Sequence, residues 1–98
     1  MMQIPEKAIV TVQAPEWGYA ADVELPVNMP LHQLRIGLLR LLREKAPRLF
    51  SRAAEICLLY NGKTLDDDRQ TLASLGIWEG SILTLKLALS DEIIMTGR

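Results

Sequence analysis

The sequence predicts an α+β domain in which one main helix covers one face of a mixed β-sheet. Apolar and polar residues alternate in two segments near the start of the chain and in one near its end, as in half-buried strands. Between these segments, leucines recur every three or four residues, which is the spacing of an amphipathic helix. With 98 residues and 49% hydrophobic content, the chain can build one core and one domain.

The first two predicted strands lie close enough in sequence to form an antiparallel β-hairpin. The first strand covers residues 7–13, and the turn-forming residues 15–18 follow it. The second strand places one apolar set on a common face: Ala21, Val23, Leu25 and Val27. A hairpin with one apolar face needs a cover on that face, and the leucine-rich segment supplies one.

The main helix is predicted at about residues 30–46. Its buried stripe consists of leucines at helical spacing: Leu31, Leu34, Leu38, Leu41 and Leu42. Asn28 is the expected N-cap, and Pro30 suits an early helical position. Pro47 disfavours a helical conformation at Ala46, so the helix is expected to end there.

The second half of the chain predicts the remaining strands. Residues 48–54 are expected to form a loop in which Phe50 inserts as an apolar plug. The later elements are predicted in this order: a strand at 55–60, a tight turn at Asn61 and Gly62, a short strand at 63–65, a helical turn ending at Gly76 and a final strand at 81–89. This order is that of the β-grasp fold. A right-handed crossover through the helix places either the third or the last strand parallel to the first.

Residues 7–89 are therefore predicted to form the domain, between an N-terminal extension at 1–6 and a loose C-terminal tail at 90–98. The N-terminus lacks the basic start and apolar stretch of a secretory signal. Arginines interrupt the leucine-rich stretch well before it reaches the roughly 20 residues that span a bilayer. We expect a cytoplasmic protein without membrane insertion.

The stretch from Leu58 to Leu72 resembles the part of ubiquitin that runs strand, Gly-Lys turn, leucine, acidic loop, arginine and Thr-Leu. Residues 75–81 continue the match. Within this superfamily, the chain is similar to the bacterial YukD/EsaB-type ubiquitin-like proteins of type VII secretion loci, through the Leu-x-x-Leu-Gly-Ile-x-x-Gly pattern at 72–80. The resemblance implies a β-grasp (ubiquitin-like) fold and an unconjugated adaptor that binds a protein partner in the secretion machinery.

The resemblance also implies a partner-binding surface. In ubiquitin this surface lies on the sheet face away from the helix. It maps onto five residues of this chain: Leu59, Thr84 and Lys86 on the strands, and Trp17 and Tyr19 in the hairpin region. Aromatic residues supply much of the energy of protein contacts, but an indole can also fold over the edge of a core. Both roles are open for Trp17, whereas Trp78 is expected at the surface.

Groups for catalysis or metal binding are sparse. The only histidine, His32, is expected on the exposed side of the first helical turn, and the only cysteine, Cys57, is expected to be a small buried core residue. The acidic triplet 66–68 lacks the ligand spacing of a calcium loop and is predicted to be a solvated turn. The sequence therefore predicts a protein that is not an enzyme and that holds no metal or cofactor.

Two other functions remain open. A conjugated modifier would require trimming to Gly97, because the sequence ends in Thr-Gly-Arg and conjugated ubiquitin-like proteins end in Gly-Gly. An anion or nucleic-acid binder would use a set of basic residues: Arg35, Arg40, Arg43, Lys45, Arg48 and Arg52. A solvated helix face is the simpler interpretation of these residues, since a net charge of −1 provides no long-range attraction for nucleic acid.

Overall fold

A five-stranded mixed sheet carries one long helix on one of its faces. The computed structural model describes residues 6–89, so the predicted tail at 90–98 and most of the predicted extension at 1–6 lie outside the described residues. The elements within that range follow in this order: β1 (Lys7–Ala14), a 3-10 helix (Pro15–Trp17), β2 (Tyr19–Pro26), α1 (Leu31–Lys45), α2 (Pro47–Phe50), β3 (Ala53–Tyr60), β4 (Lys63–Thr64) and β5 (Ile82–Leu89). The predicted hairpin, main helix and final strand are confirmed.

The last strand, and not the third, lies parallel to the first. The strand order is β2-β1-β5-β3-β4, which places β1 and β5 near the centre of the sheet. Val12 of β1 lies opposite Leu83 of β5 in the parallel pair, while Leu58 of β3 lies opposite Leu85 in the antiparallel pair. The structure thus selects one of the two crossovers that the order of elements allowed.

The hydrophobic core lies between the sheet and α1. Val10, Val12 and Val23 are buried, as the alternation in the hairpin predicted. The buried residues of α1 are Leu31, Leu34, Leu38, Leu39 and Leu42. Leu41 is only partly buried, and Leu39 takes a place that the predicted stripe left out. Burying a leucine side chain stabilises a protein by about 1.5–3 kcal/mol, so this stripe fixes the position of the helix.

Asn28 does not cap α1, and that prediction was wrong. Pro30 occupies the cap position, and no side chain caps the helix. Instead, the Leu31 N–H donates to the carbonyl of Gln70 at 2.8 Å, and the His32 N–H donates to the carbonyl of Asp68 at 3.3 Å. The first-turn donors are therefore satisfied by the backbone of a segment that is distant in sequence, which no local pattern indicates.

The region predicted as a loop at 48–54 contains α2 and the first residues of β3. Proline suits the first turn of a helix, and α2 begins at Pro47. Phe50 is fully buried, as predicted. Arg43 joins this region to α1, because its Nε donates to the carbonyl of Phe50 at 3.4 Å and its Nη2 donates to the carbonyl of Ala53.

Two predicted turns are present with the geometry that their glycines require. Asn61 and Gly62 have positive φ angles of 52° and 81°, as a two-residue hairpin turn of the primed type needs. Gly76 has φ 75° and ends a hydrogen-bonded turn. The Ile77 N–H donates to the carbonyl of Leu72 at 2.9 Å, and the Gly76 N–H donates to that of Ala73 at 3.1 Å. This is the Schellman arrangement of a helix end, although residues 72–76 form turns and not a helix.

Candidate functional site

The sheet face opposite α1 presents its side chains outward, and no helix of the described residues packs against it. We call this surface the open face. It includes residues that alternate with the core residues of four strands: Ile9, Thr11, Gln13, Ala20, Asp22, Glu24, Glu55, Cys57, Leu59, Ile82, Thr84, Lys86 and Ala88. Since successive residues of a strand point to opposite faces, burial of the core set dictates this outward set.

Three predicted site residues come together on the open face. Leu59 of β3 lies directly opposite Thr84 of β5, and Lys86 lies opposite Cys57 one step along the same pair of strands. Leu59 and Thr84 are partly buried, while Lys86 is exposed. Gln13 Nε2 donates to Thr84 Oγ1 at 3.2 Å, which orients the hydroxyl within the sheet. The geometry matches the predicted surface here, and the binding role of these residues stays a prediction.

The other two predicted site residues, Trp17 and Tyr19, do not join this group. Trp17 stacks on Phe50 with ring centroids 5.6 Å apart, and Tyr19 meets the same ring edge-on at 5.1 Å. Tyr19 also lies opposite Ala14, whose side chain is buried in the core. Both aromatic residues therefore lie on the core side of the hairpin. Of the two roles that were open for Trp17, the structure supports packing.

Two exposed isoleucines on the open face were not predicted. Ile9 and Ile82 are 46% and 51% exposed, respectively. Ile82 lies opposite Thr11 in the parallel pair of β1 and β5, so the two isoleucines occupy neighbouring strands on one face. The Gly80 N–H donates to the carbonyl of Ile9 at 2.9 Å, which places a residue without a side chain beside it. The alternation along each strand indicated that these isoleucines are exposed, because each of them lies between residues whose side chains point to the opposite face.

Trp78 is 44% exposed, as the sequence predicted. It begins a turn in which the Ser81 N–H donates to the Trp78 carbonyl at 3.0 Å and the Trp78 N–H donates to Ser81 Oγ at 3.2 Å. Glu79 Oε1 accepts a hydrogen bond from the Ile9 N–H at 2.8 Å. The turn is therefore fixed to the start of β1, next to the exposed Ile9.

The central strands of the open face carry the exposed Ile9 and Ile82 beside polar side chains such as Thr11, Gln13 and Thr84. Asp22 and Glu24 of β2 lie on one side, and Thr11 Oγ1 donates to Asp22 Oδ1 at 2.7 Å. Lys86 lies toward the other end of the sheet, beside Cys57. Exposed apolar side chains next to polar and charged ones are a composition that protein-binding surfaces use.

Cys57 is exposed, and the prediction that it is a core residue was wrong. Its neighbours Ile56 and Leu58 are buried against the helix side of the sheet. The apolar run at 56–60 suggested a strand covered on both faces, but only one face of this sheet is covered. In such a sheet the alternation decides burial, and it directs Cys57 to the open face.

The predicted basic residues do not act as one surface. Arg35 forms an ion pair with Asp68, and Arg43 is engaged with backbone carbonyls at the end of α1. The hydrogen bond from Arg35 lowers the pKa of the Asp68 carboxyl below its ordinary value, and the charges of Arg35 and His32 add to the effect. His32 and Asp68 are exposed, as predicted. Arg40 is exposed on α1.

Among residues 6–89, no group of three or more histidine, cysteine, aspartate or glutamate side chains is placed to hold a metal ion. Over the same part of the chain, no helix has both the length and the apolar character needed to cross a bilayer.

A sequence model of the YukD family, described as a protein of the WXG100 protein secretion system (Wss), matches residues 8–85 of the chain. No curated protein matches the chain. Solved structures with the same fold include the ubiquitin-like domain of EccD5 from Mycobacterium xenopi. That domain is 21% identical, with a TM-score of 0.71, and the match covers 87% of this chain and 98% of that one.

Two further solved structures are similar to the chain. A ubiquitin-like domain from Arabidopsis thaliana is 26% identical with a TM-score of 0.58, and the match covers 83% of this chain and 77% of that chain. A chain of the MycP5-free ESX-5 inner membrane complex is 22% identical with a TM-score of 0.68, and the match covers 87% of this chain but only 22% of that chain. The predicted ubiquitin-like β-grasp fold is confirmed by these similarities and by the five-stranded mixed sheet with its main helix.

Proposed function

Since the chain belongs to the YukD family of the WXG100 protein secretion system, we propose that it is a non-catalytic adaptor that binds a protein of a type VII-like secretion apparatus through its open face. The adaptor acts on the cytoplasmic side of that apparatus. The observation that carries the proposal is the apolar strip formed by the exposed Ile9 and Ile82 and the partly buried Leu59 on a rigid sheet.

The physical reason lies in the cost of ordering a surface on binding. Side chains on paired strands are already held in place, so a partner that covers Ile9 and Ile82 loses little conformational entropy. Long arginine and lysine side chains must be immobilised and partly dehydrated before they contribute. Lys86 and Asp22 on the open face can then select the partner by charge.

The comparisons support a partner in a secretion complex. One similar structure is the ubiquitin-like domain of the type VII secretion protein EccD1 of Mycobacterium tuberculosis, and another is part of the ESX-5 inner membrane complex. In the second case, the match covers 22% of the longer chain. By analogy, we infer that this chain occupies a corresponding place in its own apparatus.

The arrangement of reactive groups supports a non-catalytic role. Nucleophilic catalysis by a cysteine needs a base within hydrogen-bonding reach. Cys57 lies on the open face, whereas His32 lies on α1 at the opposite face of the sheet. The sheet separates these two side chains, so they do not form a catalytic pair.

Co-purification of the full chain with membrane components of the secretion apparatus tests the proposal. We expect Leu59→Glu to abolish recovery of those components, as identified by mass spectrometry, because it places a charge in the apolar strip. The control is Arg40→Glu combined with Lys45→Glu, which alters two exposed side chains of α1. Arg43 is unsuitable as a control because it holds the start of β3. Normal recovery with a folded Leu59→Glu variant, or loss of recovery with the control, would show that the open face is not the interface.

A further inference from the structure

The outer edge of β3 is paired over only part of its length. β4 pairs with Leu59 and Tyr60, and the Leu65 N–H donates to the carbonyl of Leu58 at 2.8 Å. Within residues 6–89, no strand pairs with the outer edge of residues 54–57. An unpaired strand edge is a template on which an extended chain can add as a further strand.

The hydrogen bond from Leu65 determines which backbone groups point outward from this edge. In an antiparallel strand, the N–H and C=O of one residue point to the same side, and successive residues alternate between the two sides. Leu58 directs its carbonyl toward Leu65, so Ile56, two residues earlier, directs its N–H and C=O to the unpaired edge. Ile56 therefore offers one donor and one acceptor to an added strand.

A groove of about 150 Å³ runs along this edge between β3 and α1. Ile36, Leu39 and Ile56 form its apolar lining. Ile36 is 52% exposed, although its neighbour Leu39 is buried. Residues paired across two strands direct their side chains to the same face of the sheet. Because the Ile56 side chain lies on the helix side, a residue paired with Ile56 would direct its side chain into this groove, against Ile36.

The charges beside the edge favour a basic segment. Glu55 is exposed at the edge, and Asp66, which follows directly after Leu65, is exposed as well. Arg35 also lines the groove, but its charge is compensated by Asp68. A cation opposite Glu55 would form a cross-strand pair of opposite charges, which stabilises a sheet by about 0.2–1 kcal/mol.

The other edge of the sheet, β2, is less suited to strand addition. It carries Asp22 and Glu24, and it ends at Pro26, which has no N–H to donate. Charged residues and proline are the usual means by which proteins protect an edge strand. The segment 54–57 of β3 carries a single charge and lies beside an exposed isoleucine.

We propose that residues 54–57 of β3 bind an extended peptide segment of a partner protein as an added antiparallel strand. A β-branched apolar residue of that segment pairs with Ile56 and fills the groove at Ile36, and a basic residue lies opposite Glu55. Glu55 lies at the margin of the open face, but the groove at Ile36 is on the helix side of the sheet, and the proposal does not depend on the function proposed for the open face.

The first test uses a capped, fluorescently labelled six-residue peptide that contains a central valine followed by lysine, with threonine at the flanking positions. Its binding to the full chain is measured by anisotropy. Methylation of the valine amide nitrogen removes the donor to the Ile56 carbonyl, so we expect affinity to fall about tenfold. Methylation of the lysine amide nitrogen, which points away from β3 in this register, should change affinity by less than about twofold.

The second test compares two equally exposed isoleucines. Ile36→Lys should weaken binding of the unmodified peptide about tenfold, because it places a cation in the apolar groove where the valine side chain must lie. Ile82→Lys makes the same change on the open face and should leave the affinity within about twofold. Leu59→Glu should likewise leave the affinity for the peptide unchanged. A failure of the open-face proposal and a failure of the strand-addition proposal would therefore give different results.

Three outcomes would overturn the proposal. The first is no detectable binding of the unmodified peptide at millimolar concentration. The second is equal affinity for the peptide methylated at valine. The third is an equal loss of affinity with Ile36→Lys and with Ile82→Lys.

Discussion

Trp17 stacks on Phe50, with ring centroids 5.6 Å apart and an angle of 25° between the ring planes. Tyr19 meets the same phenyl ring edge-on. Phe50 belongs to α2 and is fully buried, while Trp17 and Tyr19 belong to the first hairpin. This cluster closes one end of the core by joining two segments that are distant in sequence. Trp17 therefore contributes to stability through packing.

The aromatic cluster predicts a graded loss of stability. Phe50→Ala should lower the free energy of unfolding by about 3–5 kcal/mol, because it leaves a cavity under both hairpin aromatics. Trp17→Ala should cost about 1–3 kcal/mol through the lost stacking and burial. Trp78→Ala, at an exposed turn, should cost less than about 1 kcal/mol. Urea titrations followed by circular dichroism measure all three. Equal costs for the two tryptophan variants would show that the stack contributes nothing.

The leucine stripe of α1 predicts a contrast within the helix. Leu34→Ala and Leu38→Ala should each lower the free energy of unfolding by about 2–5 kcal/mol, since both side chains are buried in the core. Ile36→Ala removes an exposed side chain and should change it by less than about 1 kcal/mol. Denaturant midpoints of the three variants measure these changes. Losses below about 1 kcal/mol at both leucines would mean that the helix packs through another face.

The pair of Arg35 and Asp68 predicts a pH dependence. The hydrogen bond from Arg35 lowers the pKa of Asp68 in the folded protein, so the pair stabilises the fold above the ordinary aspartate pKa of about 3.9. This contribution is lost as pH falls through the lower pKa of the folded state. Wild-type protein and Asp68→Asn should therefore differ in unfolding free energy at pH 7, and this difference should shrink progressively as pH falls below about 4.

The control for this pair is the same comparison in an Arg35→Met background. Methionine keeps the apolar stem of the side chain but removes the guanidinium, so the pH-dependent difference caused by Asp68→Asn should disappear. Persistence of that difference without Arg35 would assign it to another group.

The arginines of α1 are expected to differ in importance. Arg43→Met should lower the free energy of unfolding by about 1 kcal/mol, since it removes two hydrogen bonds to the carbonyls of Phe50 and Ala53 at a partly solvated site. Arg40→Met should change it by less than about 0.5 kcal/mol. Thermal unfolding of both variants at matched salt concentration measures the contrast. Equal effects would mean that Arg43 has no structural role.

Local patterns in the sequence predicted the elements well, because alternation and helical spacing record which face of each element is buried. The same alternation contained the exposure of Cys57, but the apolar run around this residue suggested burial. Local sequence patterns could not predict backbone contacts between segments that are distant in sequence. The carbonyls of Asp68 and Gln70 that satisfy the start of α1 are set by tertiary packing, and a backbone carbonyl has no signature in the sequence.

Methyl cross-saturation on the full chain, with isoleucine methyl groups labelled and an unlabelled secretion complex as the source, tests the open-face interface most directly. Ile9 and Ile82 are on the open face, Ile36 is exposed on α1, and Ile77 is buried in the core. If the open face is the interface, we expect the methyl signals of Ile9 and Ile82 to lose intensity while that of Ile77 does not. Loss of intensity at Ile36, with Ile9 and Ile82 unchanged, would contradict it.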